Sequence, residues 1–176
     1  MRSHYPVVVI GGGQAGLAMS WHLRTEGVDH LVLEAGRIGG EWRDRRWDSF
    51  CLVTPNWQCR LPGFPYDGPD TDGFMLRDEI VDYLERYAAS FDPPLVEGVR
   101  VTRLRHDGTA FRLETGTGAI TAEQVVLATG PYQRPRIPRM AERLHGRVAQ
   151  LHSSSYRNPD QLPAGGVLVV GTGQSG

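Results

Sequence analysis

The segment Gly11-Gly12-Gly13-Gln14-Ala15-Gly16 constrains the fold of this chain more than any other feature. It follows a β-branched run, Tyr5 to Ile10, and it opens a stretch from about Gln14 to Thr25 in which Leu17, Trp21 and Leu23 lie at helical spacing. Gly27 stands where a helix C-terminal cap belongs, and His30 to Leu33 forms a second apolar run that ends at Glu34. Strand, tight turn, helix and strand make one βαβ unit with parallel strands. Its GxGxxG has the parts of a dinucleotide fingerprint. Gly11 permits the turn, Gly13 lets backbone approach a pyrophosphate, and Gly16 lets helix and strand pack. Gln14 and Ala15 begin the helix whose N-terminus favours an anion, and Glu34 is placed to accept from ribose hydroxyls.

Beyond Glu34 the pattern changes. Residues 35–75 are rich in Gly, Pro, Trp and Arg and read as a long functional loop. The aromatics of this loop, among them Trp42, Trp47, Phe50 and Trp57, are too many for a disordered segment and imply packing over something large and flat. Arg77 to Ser90 has helix spacing with Asp78 and Glu79 in the first turn, and Pro93-Pro94 closes it. Val99, Val101 and Leu104 alternate, Asp107-Gly108 marks a hairpin turn, and Ala110 to Thr115 and Ala119 to Val126 complete an antiparallel meander over 99–126. Gln124 to Ala128 reads as a buried strand leading into Ala128-Thr129-Gly130. Gly166 to Val170 then repeats the character of the first strand and runs into a second fingerprint, Gly171-Thr172-Gly173-Gln174-Ser175-Gly176. Two fingerprints imply two nucleotides, a tightly held flavin and an exchangeable nicotinamide.

Composition narrows the chemistry. All 19 basic residues are arginine, which removes Schiff bases, phosphate-loop lysines and lysine general bases. A net charge of -1 gives no basic field for nucleic acid. The six histidines are scattered, so no metal site is expected. Cys51 and Cys59 are too few for a disulfide scaffold and too far apart for a CxxC redox pair, so the reading is of reduced thiols in the cytoplasm. A disulfide reductase with twin fingerprints is disfavoured for the same reason. No run approaches the roughly 18 apolar residues of a membrane span.

The chain resembles the flavin-containing monooxygenase family of flavoproteins over essentially its whole length. The resemblance rests on Gly11 to Gly16, on Glu34 followed by Gly39-Gly40-Glu41-Trp42, on Ala128-Thr129-Gly130 and on Gly171 to Gly176. Leu144 to Tyr156 is similar to the family's FxGxxxHxxxY motif, with Leu144 in place of Phe and five residues between Gly146 and His152. That departure points to the bacterial relatives. The resemblance implies an α/β fold: a Rossmann-type FAD-binding domain over 1–145 with the meander inserted. Residues 146–176 would be a connector and the first strand of an incomplete NADPH-binding domain.

It also implies FAD and NADPH as cofactors. Oxygen activated at the flavin C4a would pass one atom to a small soft-nucleophile or carbonyl substrate. Gly40 and Trp42 would lie near the flavin ring, Val101 against its adenine and Gly130 beside the cofactor, while Asn56 would donate a hydrogen bond near the flavin N5. Gly171, Gly173, Gln174, Ser175 and Gly176 would serve NADPH. The alternative is an inactive FAD-binding fragment, since one strand and one turn do not make a nicotinamide site.

Overall fold

The βαβ unit forms as read from the sequence, with β1 beginning one residue earlier, at His4. In the computed structural model, which describes residues 2–131 and 134–173, β1 spans His4–Ile10, α1 Gln14–Thr25 and β2 His30–Leu33. The two strands pair parallel, Val7 against His30 through Ile10 against Leu33. Because side chains alternate along a strand, Val7 and Val9 face Met19 and Leu23 of α1, while Val8 and Ile10 join Leu31, Leu33, Leu113 and Ile120 on the other face. Burial on both faces is why β1 is a continuous apolar run. A buried polar pair ties α1 to β2: His30 Nδ1 lies 2.8 Å from the Val28 carbonyl and Nε2 2.7 Å from Ser20 Oγ. A carbonyl only accepts, so Nδ1 carries the proton and Ser20 donates to Nε2.

The 35–75 loop is not featureless. It contains α2 (Gly40–Arg45), a short 3-10 turn at Asn56–Gln58 and a small hairpin of β3 (Arg60–Leu61) and β4 (Phe64–Pro65). Its aromatics pack on α3 (Arg77–Phe91), where Trp42, Phe50, Phe64 and Tyr66 surround a cluster that includes Leu17, Ile80, Leu84 and Tyr87. Full burial of a residue such as Leu17 is worth about 1.5–3 kcal/mol. The Tyr83 hydroxyl holds the hairpin, accepting from the Leu61 amide at 3.1 Å and donating to the Phe64 carbonyl at 2.5 Å. At the start of α3, Glu79 accepts from the Leu76 amide at 2.7 Å. The helix ends at Phe91, and Asp92 turns left-handed at φ 48° ahead of the two prolines.

The expected antiparallel meander forms, and its strands continue the main sheet. After β5 (Leu95–Val96), the strands β6 (Val101–His106), β7 (Phe111–Thr115) and β8 (Gly118–Leu127) complete a six-stranded sheet of order β5-β2-β1-β8-β7-β6. Val99 precedes the strand it was expected to join. β8 is the seam: its first half pairs antiparallel with β7, and from Thr121 onward it pairs parallel with β1. The segments 119–126 and 124–128 are therefore one strand, and its end is open, with Leu127 68% exposed. The expected strand at 166–170 does not form. Val167 to Val170 are 63–86% exposed, and no other strand pairs with them, so β-propensity has no ladder to act through. Among the described residues no helix is long and apolar enough to cross a membrane.

Candidate dinucleotide site and adjoining cleft

The glycine-rich turn is held by backbone on two sides. The Gly11 amide donates to the Leu33 carbonyl at 2.8 Å, and the Ala128 amide donates to the Ile10 carbonyl at 2.8 Å, which brings Ala128-Thr129-Gly130 against the turn. Gly11 has φ +109°, and a Cβ there would lie 2.4 Å from the Ala128 carbonyl oxygen. A Cβ on Gly16 would stand 1.8 Å from the Gly11 carbonyl oxygen, so only glycine lets α1 sit this close to the strand end. Gly13 differs from both. It caps α1 with ordinary extended backbone (φ -80°, ψ -170°), and a Cβ there would meet no atom within 4 Å.

This open position lies at a helix end with neither a side-chain cap nor an acidic residue in its first turn, so the first amides of α1, including those of Gln14 and Ala15, are free of both. Glu34 closes the other side. Its carboxylate accepts from the Gly12 amide at 2.7 Å and from the Gly36 amide at 2.8 Å, which fixes it at the end of β2. A cradle without a side chain, an unfilled helix N-terminus and a fixed carboxylate suit a dinucleotide with its pyrophosphate over Gly13.

Gln14 also lines a cleft of about 650 Å³, together with Trp42, Trp47, Phe50, Tyr83 and the segment His152–Ser154. That volume is in the range of small-molecule sites. Trp42 and Phe50 are in tilted contact at 5.6 Å, with the Arg46 guanidinium 5.1 Å from the Trp42 ring. Trp47 meets Phe50 edge-on at 4.9 Å. The connector wall is clamped in place. Arg157 donates to the carbonyls of Arg46, Ser154 and Tyr156 at 3.1–3.4 Å and to that of Asp44, bridging the end of α2 and the connector. Asp48 reinforces the clamp, accepting from Arg77 at 2.7 Å and from Asn158 at 2.8 Å. The Ser154 amide donates to His152 Nδ1 at 3.1 Å, so a neutral His152 carries its proton on Nε2.

The other sequence candidates fall in different places. Gly40 opens α2, two residues before Trp42. Asn56 is 3% exposed and does not line the cleft, although its neighbours Thr54 and Gln58 do. The donor expected to serve a flavin is spent instead on the Asp70 carbonyl at 2.8 Å, where it closes the 55–73 loop. The Val101 side chain packs against the core around Leu113. Gly130 has φ +71°, and no described atom would contact a Cβ built there. Gly171 and Gly173 are exposed and meet nothing within that range either, while Gln174, Ser175 and Gly176 lie outside the described residues.

Five arginines of the cleft, Arg45, Arg46, Arg60, Arg134 and Arg136, were not among the sequence candidates, and neither was the placement of both cysteines in its lining. An all-arginine basic complement was the one available signal. Burial pushes the Cys59 thiol up, away from thiolate chemistry. Among the described residues no group of His, Cys, Asp and Glu could hold a metal ion.

Comparison with known proteins places the chain in a family. A family model described as pyridine nucleotide-disulphide oxidoreductase matches residues 8–176. An uncharacterised CzcO-like oxidoreductase of Geobacillus kaustophilus is 46% identical over 177 residues, covering 100% of this chain and 50% of the relative. A Baeyer-Villiger monooxygenase of Streptomyces coelicolor is 34% identical over 189 residues, covering 99% of this chain and 35% of the relative. Among solved structures, a mutant flavin monooxygenase from Stenotrophomonas maltophilia superposes with a TM-score of 0.80 at 32% identity, over 90% of this chain and 48% of that one. The chain thus spans half or less of the length of the relatives it matches. By the reach of the family match and by the turn, helix and acidic residue that it covers, this chain belongs to the pyridine nucleotide-disulphide oxidoreductase family, among relatives named as flavin monooxygenases.

Proposed function

We propose that this chain is the FAD-binding part of an NADPH-using flavin monooxygenase that passes one oxygen atom from O2 to a small soft-nucleophile or carbonyl substrate. The observation that carries the reading is the open position over Gly13 at the uncapped end of α1, with Glu34 fixed beside it. FAD bound there would supply the redox chemistry, taking electrons from NADPH and giving them to oxygen. The residues of the chain hold and shield it. Gly11 and Gly16 keep the turn tight, Gln14 and Ala15 offer amides to the pyrophosphate, and the Glu34 carboxylate accepts from ribose hydroxyls. That carboxylate also repels a ribose 2′-phosphate, which favours FAD over NADPH at this first site.

Gly40, Val101 and Gly130 are assigned to FAD on the family resemblance, and Trp42 with its aromatic neighbours is assigned to keeping water from the reacting centre. Asn56 acts one step back, holding the loop that carries Thr54 and Gln58 into the cleft. Gly171, Gly173, Gln174, Ser175 and Gly176 are assigned to NADPH, with 1–145 as the FAD unit and 146–176 as the connector to a second dinucleotide fold. Two free cysteines fit a reducing cytoplasm.

The test is spectroscopic. Purified protein should show the flavin absorption bands, which NADPH should bleach without air in the full-length gene product. Readmitted oxygen should convert a thioether such as methyl phenyl sulfide to its sulfoxide. A colourless protein that added FAD does not load would refute the reading.

A further inference from the structure

The charge in the cleft is one-sided. Arg45, Arg60, Arg134 and Arg136 contribute to its lining, and no aspartate or glutamate does among the described residues. Four arginines outside the cleft are matched by carboxylates, Arg2 with Asp29, Arg43 with Glu85, Arg77 with Asp48 and Arg86 with Asp67, all at 2.7–3.1 Å. The side chains of Arg45, Arg60, Arg134 and Arg136 have no hydrogen-bond or ion-pair partner among the described residues. In a chain with 20 acidic and 19 basic residues, four unmatched guanidinium groups around one cavity leave a local excess of positive charge that the net charge conceals. Concave walls with low-dielectric aromatic surface concentrate that field.

The shape of the remaining lining narrows the ligand. Trp42, Trp47 and Phe50 present flat apolar surface beside the charge. A guanidinium is a planar fork that receives two oxygens of one anionic group, and aromatic faces receive a flat ring. We propose that the cleft selects a substrate carrying a carboxylate on a flat apolar body, with the exposed arginines as its anion subsite. This rests on the cleft being the substrate chamber of the flavin enzyme proposed above, and it adds the substrate class. The phosphates of a nicotinamide dinucleotide share the anionic chemistry and are the competing source to be separated by experiment.

The test compares 2-naphthoate with 2-naphthamide, which match in shape and differ in charge. Binding to the full-length holoprotein is followed by quenching of tryptophan fluorescence, since Trp42 and Trp47 both line the cleft. The acid should bind at least about tenfold more tightly than the amide at low salt. The preference should shrink severalfold at about 0.5 M salt, because the anion subsite is open to solvent. The double variant Arg60→Gln/Arg136→Gln should bring acid and amide within about threefold of one another. Both side chains are exposed and unpartnered, so the variant should fold, which its unchanged melting temperature would verify.

Equal binding of acid and amide by the wild-type protein would overturn the proposal, as would a preference that survives in the double variant. If the variant weakens NADP+ binding while naphthoate binding stays intact, the arginines serve the dinucleotide and the proposal is also overturned. Absence of the flavin bands would refute only the flavin reading, because the tryptophan signal reports on the cleft with or without flavin.

Discussion

Replacing Gly13 with serine should make the flavin-free protein slightly more stable and at the same time abolish FAD binding. The two effects have separate structural origins. Gly13 sits at φ -80° and ψ -170°, a conformation that any L-residue adopts, and a Cβ there has no atom within 4 Å. Substituting glycine at a compatible position restricts the unfolded chain and stabilises by about 0.4–1 kcal/mol. The residue also caps α1, which has no side-chain cap, and a serine hydroxyl at that position adds a few tenths of a kcal/mol. The sum, close to 1 kcal/mol, should raise the melting temperature of the flavin-free protein by about 2–4 °C. The same hydroxyl takes the amides and the space that a pyrophosphate needs, so reconstitution should leave the variant without flavin bands. Thermal unfolding of the flavin-free form, followed by an FAD titration, reads both effects. A variant that binds FAD within about threefold of wild type would refute the reasoning, and so would a flavin-free form that melts below wild type.

Other substitutions should separate packing from chemistry. Gly16→Ala should destabilise by about 1–3 kcal/mol, because its Cβ falls 1.8 Å from the Gly11 carbonyl oxygen; a denaturant midpoint equal to wild type would contradict that. Tyr87 is fully buried with its hydroxyl unpartnered among the described residues, so Tyr87→Phe should stabilise by about 1 kcal/mol in urea unfolding. Burial pushes the Tyr87 phenol up to about 12, above its ordinary value of 10.0, so stability is unaffected by its ionisation below that ordinary value and falls as pH rises toward 12. Tyr87→Phe should lack this alkaline loss. The Asp107 carboxylate accepts from the Ala110 and Thr109 amides and the Thr109 hydroxyl, which holds it at about 2. Its contribution is present above the ordinary value of 3.8 and disappears as pH falls through 2. Asp107→Ala should therefore lower stability at neutral pH and leave it unchanged at the acid end.

Local chemistry explains which parts of the fold were legible in the sequence. The bounds of α1 follow from a glycine turn, an apolar face and Gly27, and β2 from three apolar residues, Leu31 to Leu33, between polar ones; all of these signals are contained in the segments themselves. Helix α2 was missed because Gly40–Arg45 has no apolar periodicity and is fixed by its place against α3. The unity of β8 was missed because its pattern changes from alternating to continuous near Gln124, just past Ala122 where its pairing with β7 ends and only that with β1 remains. Val167–Val170 carries the signature of a strand without a partner, and propensity cannot supply one. The tight glycine turn and its contact with Glu34 were readable because they form a short-range pattern. The arginine lining was not, because Arg45, Arg60, Arg134 and Arg136 are brought together only by the closed fold. The partner of Asn56 was not legible either: its amide donates to the Asp70 carbonyl, a contact set by loop closure.

The seam strand has a consequence for how the protein comes into being. Its pairing with β1 joins residues as far apart as His4 and Thr121, whereas β6, β7 and the start of β8 are joined by short turns. Local hairpins close early and long-range parallel pairs close late. The Ala128 carbonyl that walls the glycine turn is laid down by this last pairing. A ribosome must therefore release the chain through residue 128 before the turn at Gly11 has its second wall, and until then β1 has an open edge that needs the last strand of its sheet to cover it. The glycine turn after β1 is thus completed only when the last strand of its sheet has been made.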